Sequence, residues 1–390
     1  MGPSRAVRGC RSGRDPGRDE PPLPGGAAGG NLLDQPQVSA ALSASPSEAA
    51  SGYRSLLLRR TLLLAALVVM LCGSLLLDVA TGPSRLGLAD VVGVLLNPSA
   101  ASGPVSVIVL DVRLPYAIMA VLVGGALALA GAEMQTVLNN PLASPFTLGV
   151  SSAASLGAAL AIVLGVGIPW VPQSWLLSGN AFLFAFLSVL LLRSLSKLRG
   201  AGVEALVLFG IALVFAFNAA VALLQFVATE QALQQLVFWS MGSLARATWP
   251  KIGIMALAFA VCIPFCARAA WKLTALRLGE ERALSFGVDA EKLRNGALLR
   301  VSLLSGVSVA FVGTIGFVGL VGPHAARLLV GEDHRFFLPA AALCGALLLS
   351  LSSVASKMMV PGLLVPIGIV TALVGVPVFI ALVFTRGRRA

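Results

Sequence analysis

The most constraining feature of this sequence is the repetition of long, nearly uncharged apolar blocks along most of its length. The blocks run about 17 to 25 residues, the length that an α-helix needs to cross a hydrocarbon core of about 30 Å. Only 12% of the 390 residues are charged and 57% are hydrophobic, whereas soluble domains carry roughly a quarter charged residues. The sequence therefore predicts an all-α, polytopic transmembrane helical bundle and excludes a soluble globular domain.

The apolar spans and the charges between them predict a topology. Nine spans are read at residues 62–79, 114–132, 147–165, 176–195, 203–226, 249–267, 296–318, 337–356 and 365–385. Connections rich in Arg and Lys alternate with connections poor in both, and basic connections stay in the cytoplasm. Both termini are therefore predicted in the cytoplasm, which requires an even number of crossings. A tenth, short or broken helix is expected in 319–335 or in 356–366.

The first part of the chain has a different composition. Residues 1–52 are rich in Pro, Gly, Ser, Ala and Arg and lack a periodic apolar pattern, so they predict a disordered cytoplasmic tail. No signal peptide is expected, because the first apolar run begins well beyond the usual distance. Residues 53–390 are left as the transmembrane domain. The net charge of +11 lies in short connections, without the aromatic interleaving of a nucleic-acid surface, so no nucleic-acid binding is predicted.

Small residues and scattered polar groups indicate packing rather than chemistry. Glycines within the spans allow helices to approach closely in lipid, as at Gly124, Gly125, Gly131, Gly313, Gly316, Gly319 and Gly322. The cysteines have no partner His at metal-ligand spacing, and His324 and His334 have no nucleophile beside them. No catalytic residue and no metal ligand is therefore predicted.

Several long motifs occur in a fixed order. They are Arg113-Leu-Pro, Gly131-Ala-Glu-Met-Gln, the run from Asn140-Pro-Leu to Ser151, the run from Gly316 to Arg327, and Pro366-Ile-Gly-Ile-Val-Thr-Ala-Leu-Val-Gly. In order and spacing they resemble the FecCD family of siderophore, haem and vitamin B12 permeases over about residues 56–388. Departures from the family pattern occur at Tyr116, Glu133, which replaces an apolar residue, Ala153 and Leu364.

The resemblance implies a fold, a function and a set of partners. The fold is the type II permease fold of ATP-binding-cassette importers, with about ten helices, and the cargo is an iron-siderophore or a related metal chelate. The implied partners are a pair of cytoplasmic ATP-binding subunits, an extracytoplasmic substrate-binding protein and a second permease chain, the same or homologous. This chain has no Gly-x-x-x-x-Gly-Lys-Ser/Thr phosphate loop. We therefore expect no cofactor and no enzymatic activity of its own, with ATP and Mg²⁺ used by the partner.

Three groups of site residues carry the expected function. Residues 278–295 read as an amphipathic segment between two spans, and the resemblance makes it the coupling segment, with Gly279, Glu280, Glu281, Ala283, Leu284 and Gly287. From the residues alone, the alternative that this segment is only a solvated loop helix stays open.

The family's cytoplasmic gate corresponds to Asn140, Pro141 and Leu142. The Asn-Pro pair by itself also predicts a helix cap and a helix break.

The outer face is the third group. Arg113 and Arg327 match family positions that meet acidic residues of the binding protein, and the topology count puts both at external span boundaries. Arginines that only anchor helices at the membrane interface are the alternative.

Two other functional classes compete with the importer. A secondary transporter or channel for a small solute commonly carries ionisable groups inside its spans, and the central parts of these spans contain almost none. A membrane enzyme would need converging catalytic polar groups, which the sequence does not offer.

Overall fold

The computed structural model describes residues 46–84, 86–98, 103–169, 171–198, 203–360 and 362–387. Within these ranges all regular secondary structure is helical, which confirms the all-α prediction. The first 45 residues of the predicted tail lie outside the described part. Residues 46–52 belong to the first helix. Pro46 suits the first position of a helix, and Ala49 and Ala50 favour its continuation.

The helices are numbered here in chain order. They are α1 Pro46–Ala80, α2 Leu88–Leu96, α3 Pro104–Val137 with a π-helical stretch at Ile108–Arg113, α4 Val150–Val163, α5 Gln173–Leu198, α6 Val203–Val227, α7 Glu230–Ser240, α8 Trp249–Leu276, α9 Glu280–Ser285, α10 Ala290–Val312, α11 Val318–Val330, α12 His334–Met358 and α13 Ile367–Gly387. Among the described residues, seven of them are long and apolar enough to cross a membrane, namely α1, α3, α5, α6, α8, α10 and α12. The shorter apolar helices α4, α11 and α13 bring the set to ten.

The tenth helix lies in the first of the two expected segments. Helix α10 ends at Gly313 with φ +80°, and α11 ends at Gly331 with φ +79°, a backbone region that glycine enters without the strain that a side chain adds. The four residues between Gly313 and α11 are not helical. In the described chain no helix lies between Met358 and Ile367, so the second alternative is wrong.

Helix α3 is the centre of the bundle and packs against α8, α10, α11 and α12. Two glycines on α3 make its closest approaches. A Cβ atom at Gly131 would collide with the carbonyl oxygen of Gly319 on α11, and one at Gly124 would collide with that of Gly345 on α12. Because lipid supplies no hydrophobic drive between helices, such backbone contact stabilises the bundle through close packing. The predicted role of these glycines is confirmed at both positions.

Ion pairs between helices mark the two ends of the bundle. Arg60 on α1 contacts Asp333 before α12 at 3.3 Å, and Arg277 after α8 pairs with Glu332. We call this the basic end. The opposite end, here the distal end, carries the last turn of α1 and of α12, where Lys357 binds Asp78 at 2.7 Å. Helices α3 and α8 run from the distal end to the basic end.

Candidate coupling and gating site

The predicted coupling segment forms a short helix at the basic end, between α8 and α10. Helix α9 begins after Gly279, with φ +103°, and is followed by Gly287, with φ +74°. Both values lie in the region that favours glycine, so these two residues allow the chain to turn sharply into and out of the helix. The segment is a defined protrusion rather than an irregular loop.

The apolar side chains of this segment do not all face the bundle. Ala283 is fully buried in the core, whereas Leu284 is 70% exposed and Phe286 is 56% exposed. The helix is only six residues long, and of these three side chains Ala283 alone turns inward. Large apolar side chains left exposed beyond the membrane core are typical of a protein interface.

One ion pair, one hydrogen bond and a helix cap hold the segment on the ends of neighbouring helices. Glu280 pairs with Arg294 on α10, and the Nε of Arg294 donates to the carbonyl oxygen of Val137, the last residue of α3, at 3.3 Å. Asp289 caps α10 by accepting from the backbone N–H of Lys292 at 3.0 Å. This hydrogen bond lowers the pKa of Asp289, so the cap stays charged at neutral pH. Arg294 therefore connects α9 to the end of α3.

Arg277 joins the start of the coupling segment to the loop after α3. Its Nη1 donates to Oδ1 of Asn139 at 3.1 Å, and its Nε donates to Oε2 of Glu332 at 3.3 Å. Glu332 also forms an ion pair with Arg327 on α11, at 3.2 Å. Asn139 has φ +43°, a left-handed conformation that is uncommon for residues other than glycine. One guanidinium thus connects α8, the loop after α3 and the turn before α12.

The predicted gate residues follow directly after Asn139. Oδ1 of Asn140 accepts the backbone N–H of Leu142 at 2.9 Å, a side-chain turn that fixes the loop across Pro141. Leu142 is exposed. The helix-break interpretation therefore describes this loop correctly, because α3 ends at Val137, and the gate interpretation remains compatible with it.

Asn140 and Leu142 line a cavity with a volume of about 590 Å³. Its wall is formed by this loop, the start of α4 and one face of α6. The described lining combines apolar side chains with hydroxyl and amide groups, and it includes no charged residue: Leu138, Asn140, Leu142, Ala143, Phe146, Thr147, Leu148, Ser151, Ser152, Ser155, Val207, Ile211, Val214, Asn218 and Thr314. The loop therefore lies at the boundary of a roomy, uncharged cavity.

Arg113 lies at the distal end, as expected, but it is not a surface residue. It is only 4% exposed. Its guanidinium donates to the carbonyl oxygens of Val79 at 3.1 Å and Ala80 at 2.8 Å, and to Oγ of Ser84 at 3.0 Å. A side chain engaged in this way holds the turn after α1 and is not presented to a partner. These contacts favour the anchoring alternative, and the docking role of Arg113 stays a prediction.

Arg327 lies at the opposite end of the bundle from the predicted one. Its Nη2 donates to Oε1 of Gln135 at 3.2 Å, near the last turn of α3, whereas Arg113 lies at the other end of that helix. Twenty-two residues of helix separate Gln135 from Arg113, which is about 33 Å at 1.5 Å per residue. Arg327 therefore belongs with Glu332 and Arg277 at the basic end, and it does not share an end of the bundle with Arg113 as the topology count predicted.

Two buried ion pairs were not recognised in the sequence. Glu133 accepts from Nε of Arg300 through both carboxylate oxygens at 2.9 Å, and Asp78 binds Lys357 at 2.7 Å. In the sequence these residues are single charges at the edges of apolar blocks. Such a charge cannot be distinguished from one that anchors a helix at the membrane interface until its partner is known.

His334 is buried between the hydroxyl groups of Thr136 and Thr274, which supports a structural role.

Comparison with known proteins places this geometry in a family. Residues 64–385 match the model of the FecCD transport family. The chain is 37% identical over 280 residues to the hemin transport system permease protein HmuU of Yersinia pestis, covering 71% of this chain and 83% of that one. It is 38% identical over 279 residues to the vitamin B12 import system permease protein BtuC of Salmonella typhi, covering 71% of this chain and 84% of that one.

A solved structure shares the fold as well as the sequence. It shows an inward-facing conformation of a transporter assigned to the metal-chelate type of ABC transporters, with a TM-score of 0.72 and 31% identity. The match covers 83% of this chain and 99% of that chain. The ten apolar helices, the order of the motifs and these similarities agree, and the chain belongs to the FecCD transport family.

Proposed function

We propose that this chain is the membrane-spanning permease subunit of an ATP-binding-cassette importer that carries an iron-siderophore or a related metal chelate. The observation that carries the proposal is the connection from the exposed segment around Leu284, through Arg277, to the loop beside the cavity. A partner that moves α9 changes the position of Asn139 and of the gate residues after it. Membership of a transport family whose relatives are named for haem and vitamin B12 supports this class of cargo.

The basic residues at one end of the bundle support an orientation. Arg60 and Arg277 lie at the basic end, and basic connections stay on the cytoplasmic side of membranes. We therefore propose a multi-pass protein of the cell membrane with both termini in the cytoplasm. In this orientation α9 meets a pair of ATP-binding subunits, and the distal end meets the substrate-binding protein. A second permease chain, the same or homologous, completes the pathway.

The cavity favours a cargo whose metal charge is enclosed. The described residues that line it are uncharged, so they offer neither the carboxylates nor the thiolates that hold a bare metal ion. The buried Glu133 and Asp78 are paired with cations and do not line this cavity. A secondary transporter commonly places ionisable groups on its pathway, and nothing in the described cavity favours that alternative.

Reconstitution tests the proposed function directly. The chain is co-expressed with its ATP-binding subunit, placed in proteoliposomes and supplied with the binding protein and a panel of radiolabelled ferric chelates. We expect uptake of at least one chelate that requires ATP, from complexes containing two permease chains and two ATP-binding chains. Uptake driven by an ion gradient without ATP, or a functional complex with one permease chain, would contradict the proposal.

Arg277→Gln is expected to uncouple ATP hydrolysis from transport. The substitution removes the charge that binds Glu332 and weakens the bond to Asn139, and hydrogen bonds to charged groups contribute about 1.5–3 kcal/mol each. We expect the amount of cargo imported per ATP hydrolysed to fall about tenfold, while assembly with the ATP-binding subunit is preserved. Lys272→Gln, on an exposed position of α8, is the matched control. Equal coupling ratios in both variants would remove Arg277 from the transmission path.

A further inference from the structure

A second cavity lies at the distal end, on the side of α7 and the short 3₁₀ turn Leu244–Arg246. Its volume is about 350 Å³, and the residues lining it are Leu177, Gln231, Gln234, Gln235, Phe238, Trp239 and Arg246. The described lining contains three amides, an indole and a guanidinium, but no carboxylate. All five polar groups have N–H donors, so the cavity is rich in donors and carries positive charge.

Two of these donors are buried without a partner. Trp239 is only 1% exposed, and its indole Nε1 has no hydrogen-bond acceptor among the described residues. Arg246 binds the carbonyl oxygen of Phe238 through Nη2 at 3.1 Å, but its Nη1 is buried and has no acceptor there either. Buried polar groups are nearly always satisfied in native structures, so two unsatisfied donors at one cavity indicate a ligand with acceptor atoms.

The charge at this position is also uncompensated. Nζ of Lys251 donates to the carbonyl oxygen of Arg246 at 3.0 Å, which brings two cationic residues together. Neither forms an ion pair with a carboxylate in the part of the chain that the structure describes. Burial lowers the pKa of Arg246, because the surroundings stabilise its positive charge poorly. An anion beside the guanidinium would relieve that cost.

The cavity is built on a fixed frame. The backbone N–H of Ser243 donates to the carbonyl oxygen of Val312 at 2.7 Å, which joins the segment after α7 to the end of α10. The N–H groups of Ile367 and Gly368 donate to the carbonyl oxygens of Gly242 and Met241, both at 3.1 Å. Because helices α10 and α13 hold this segment, the backbone that carries Arg246 is preorganised, and preorganisation favours affinity.

We propose that this cavity is a binding subsite for an anionic oxygen group of the cargo, such as a free carboxylate on the metal chelate, at the distal entrance of the pathway. The proposal rests on the proposed import function for the source of its ligand. Arg246 supplies the charge, and Nε1 of Trp239 supplies a recessed second donor. A small ligand group reaches such a recess, whereas an acidic side chain on the surface of a partner protein meets only the exposed rim. The chain would therefore prefer anionic chelates over neutral ones.

Direct binding to the permease in lipid nanodiscs tests the subsite without requiring transport. The probes are gallium citrate, an anionic complex with carboxylate oxygens, and a neutral gallium tris-hydroxamate, measured by calorimetry against the complex of permease and ATP-binding subunit. We expect Arg246→Gln to weaken binding of gallium citrate about tenfold or more, since a charge-assisted hydrogen bond is lost. Trp239→Phe keeps an aromatic side chain but removes Nε1, and we expect it to weaken binding of gallium citrate severalfold. Binding of the neutral complex is expected to change little.

Two controls distinguish anion binding in this cavity from a general effect of charge and from docking of a partner protein. Arg268→Gln removes an equal charge from an exposed position on α8 and should leave binding of both probes unchanged. Unchanged gallium citrate binding in Arg246→Gln overturns the subsite. Loss of affinity for the binding protein, with unchanged chelate affinity, also overturns it and assigns Arg246 to docking. If citrate discrimination is present but no chelate is transported, the subsite stands and the proposed import function fails.

Discussion

Leu284→Asp is expected to detach the permease from its ATP-binding subunit. In the proposed complex, Leu284 enters a groove of the partner, and burial of a leucine side chain contributes about 1.5–3 kcal/mol. The substitution removes this contribution and introduces a carboxylate whose desolvation adds a further cost. We therefore expect association to weaken by at least about 100-fold, corresponding to about 3 kcal/mol. Co-purification and ATPase stimulation by the permease measure the effect.

Two variants and one stability measurement keep this prediction specific. Leu284→Met keeps the volume and the apolar surface, so it should assemble normally. Glu281→Lys changes the charge on the same exposed turn and should weaken association to a smaller extent. Because Leu284 is exposed in the isolated chain, thermal unfolding of the permease alone should be unaffected. Full assembly and normal transport in Leu284→Asp would show that α9 is not the coupling segment.

The sequence predicted most of the membrane architecture because each span is a local feature. An apolar block of sufficient length specifies a helix with little reference to the rest of the chain, and the charges beside it indicate its direction. Helix α11 shows the limit of this reasoning. It is only 13 residues long, so its ends were not visible, and Arg327 was placed at the distal end. The observed helix runs towards Gly331 at the basic end, which reverses that assignment.

The contacts of the site depend on residues far apart in the chain. Arg277 binds Asn139 across 138 residues, and Arg300 binds Glu133 across 167 residues. No periodicity or spacing rule connects such positions, so the sequence indicated the coupling segment and the gate but not the guanidinium that joins them. The same limit explains Arg113. An arginine at a span boundary predicts either docking or anchoring, and its bonds to Val79 and Ala80, which favour anchoring, could not be read from the sequence.

Arg300→Leu is expected to destabilise the permease by about 3–5 kcal/mol, because it leaves a buried carboxylate without its partner. Glu133 is 1% exposed, and both of its oxygens accept from Nε of Arg300 at 2.9 Å. Glu133 replaces an apolar residue of the family pattern, so we expect the fold to accept an apolar side chain at this position. The double variant Glu133→Leu, Arg300→Leu should therefore recover most of the lost stability.

Thermal unfolding in detergent measures the energetic coupling between Glu133 and Arg300. The denaturation temperatures of the two single variants and of the double variant are compared. A double variant more stable than Arg300→Leu by about 2 kcal/mol or more would show that the cost arises from the isolated charge. If the two single effects simply add, Arg300 stabilises the bundle through packing of its aliphatic stem, and the ion pair contributes nothing. The expected recovery also makes the pair dispensable for the fold, since well-packed apolar residues replace buried ion pairs without loss in other proteins.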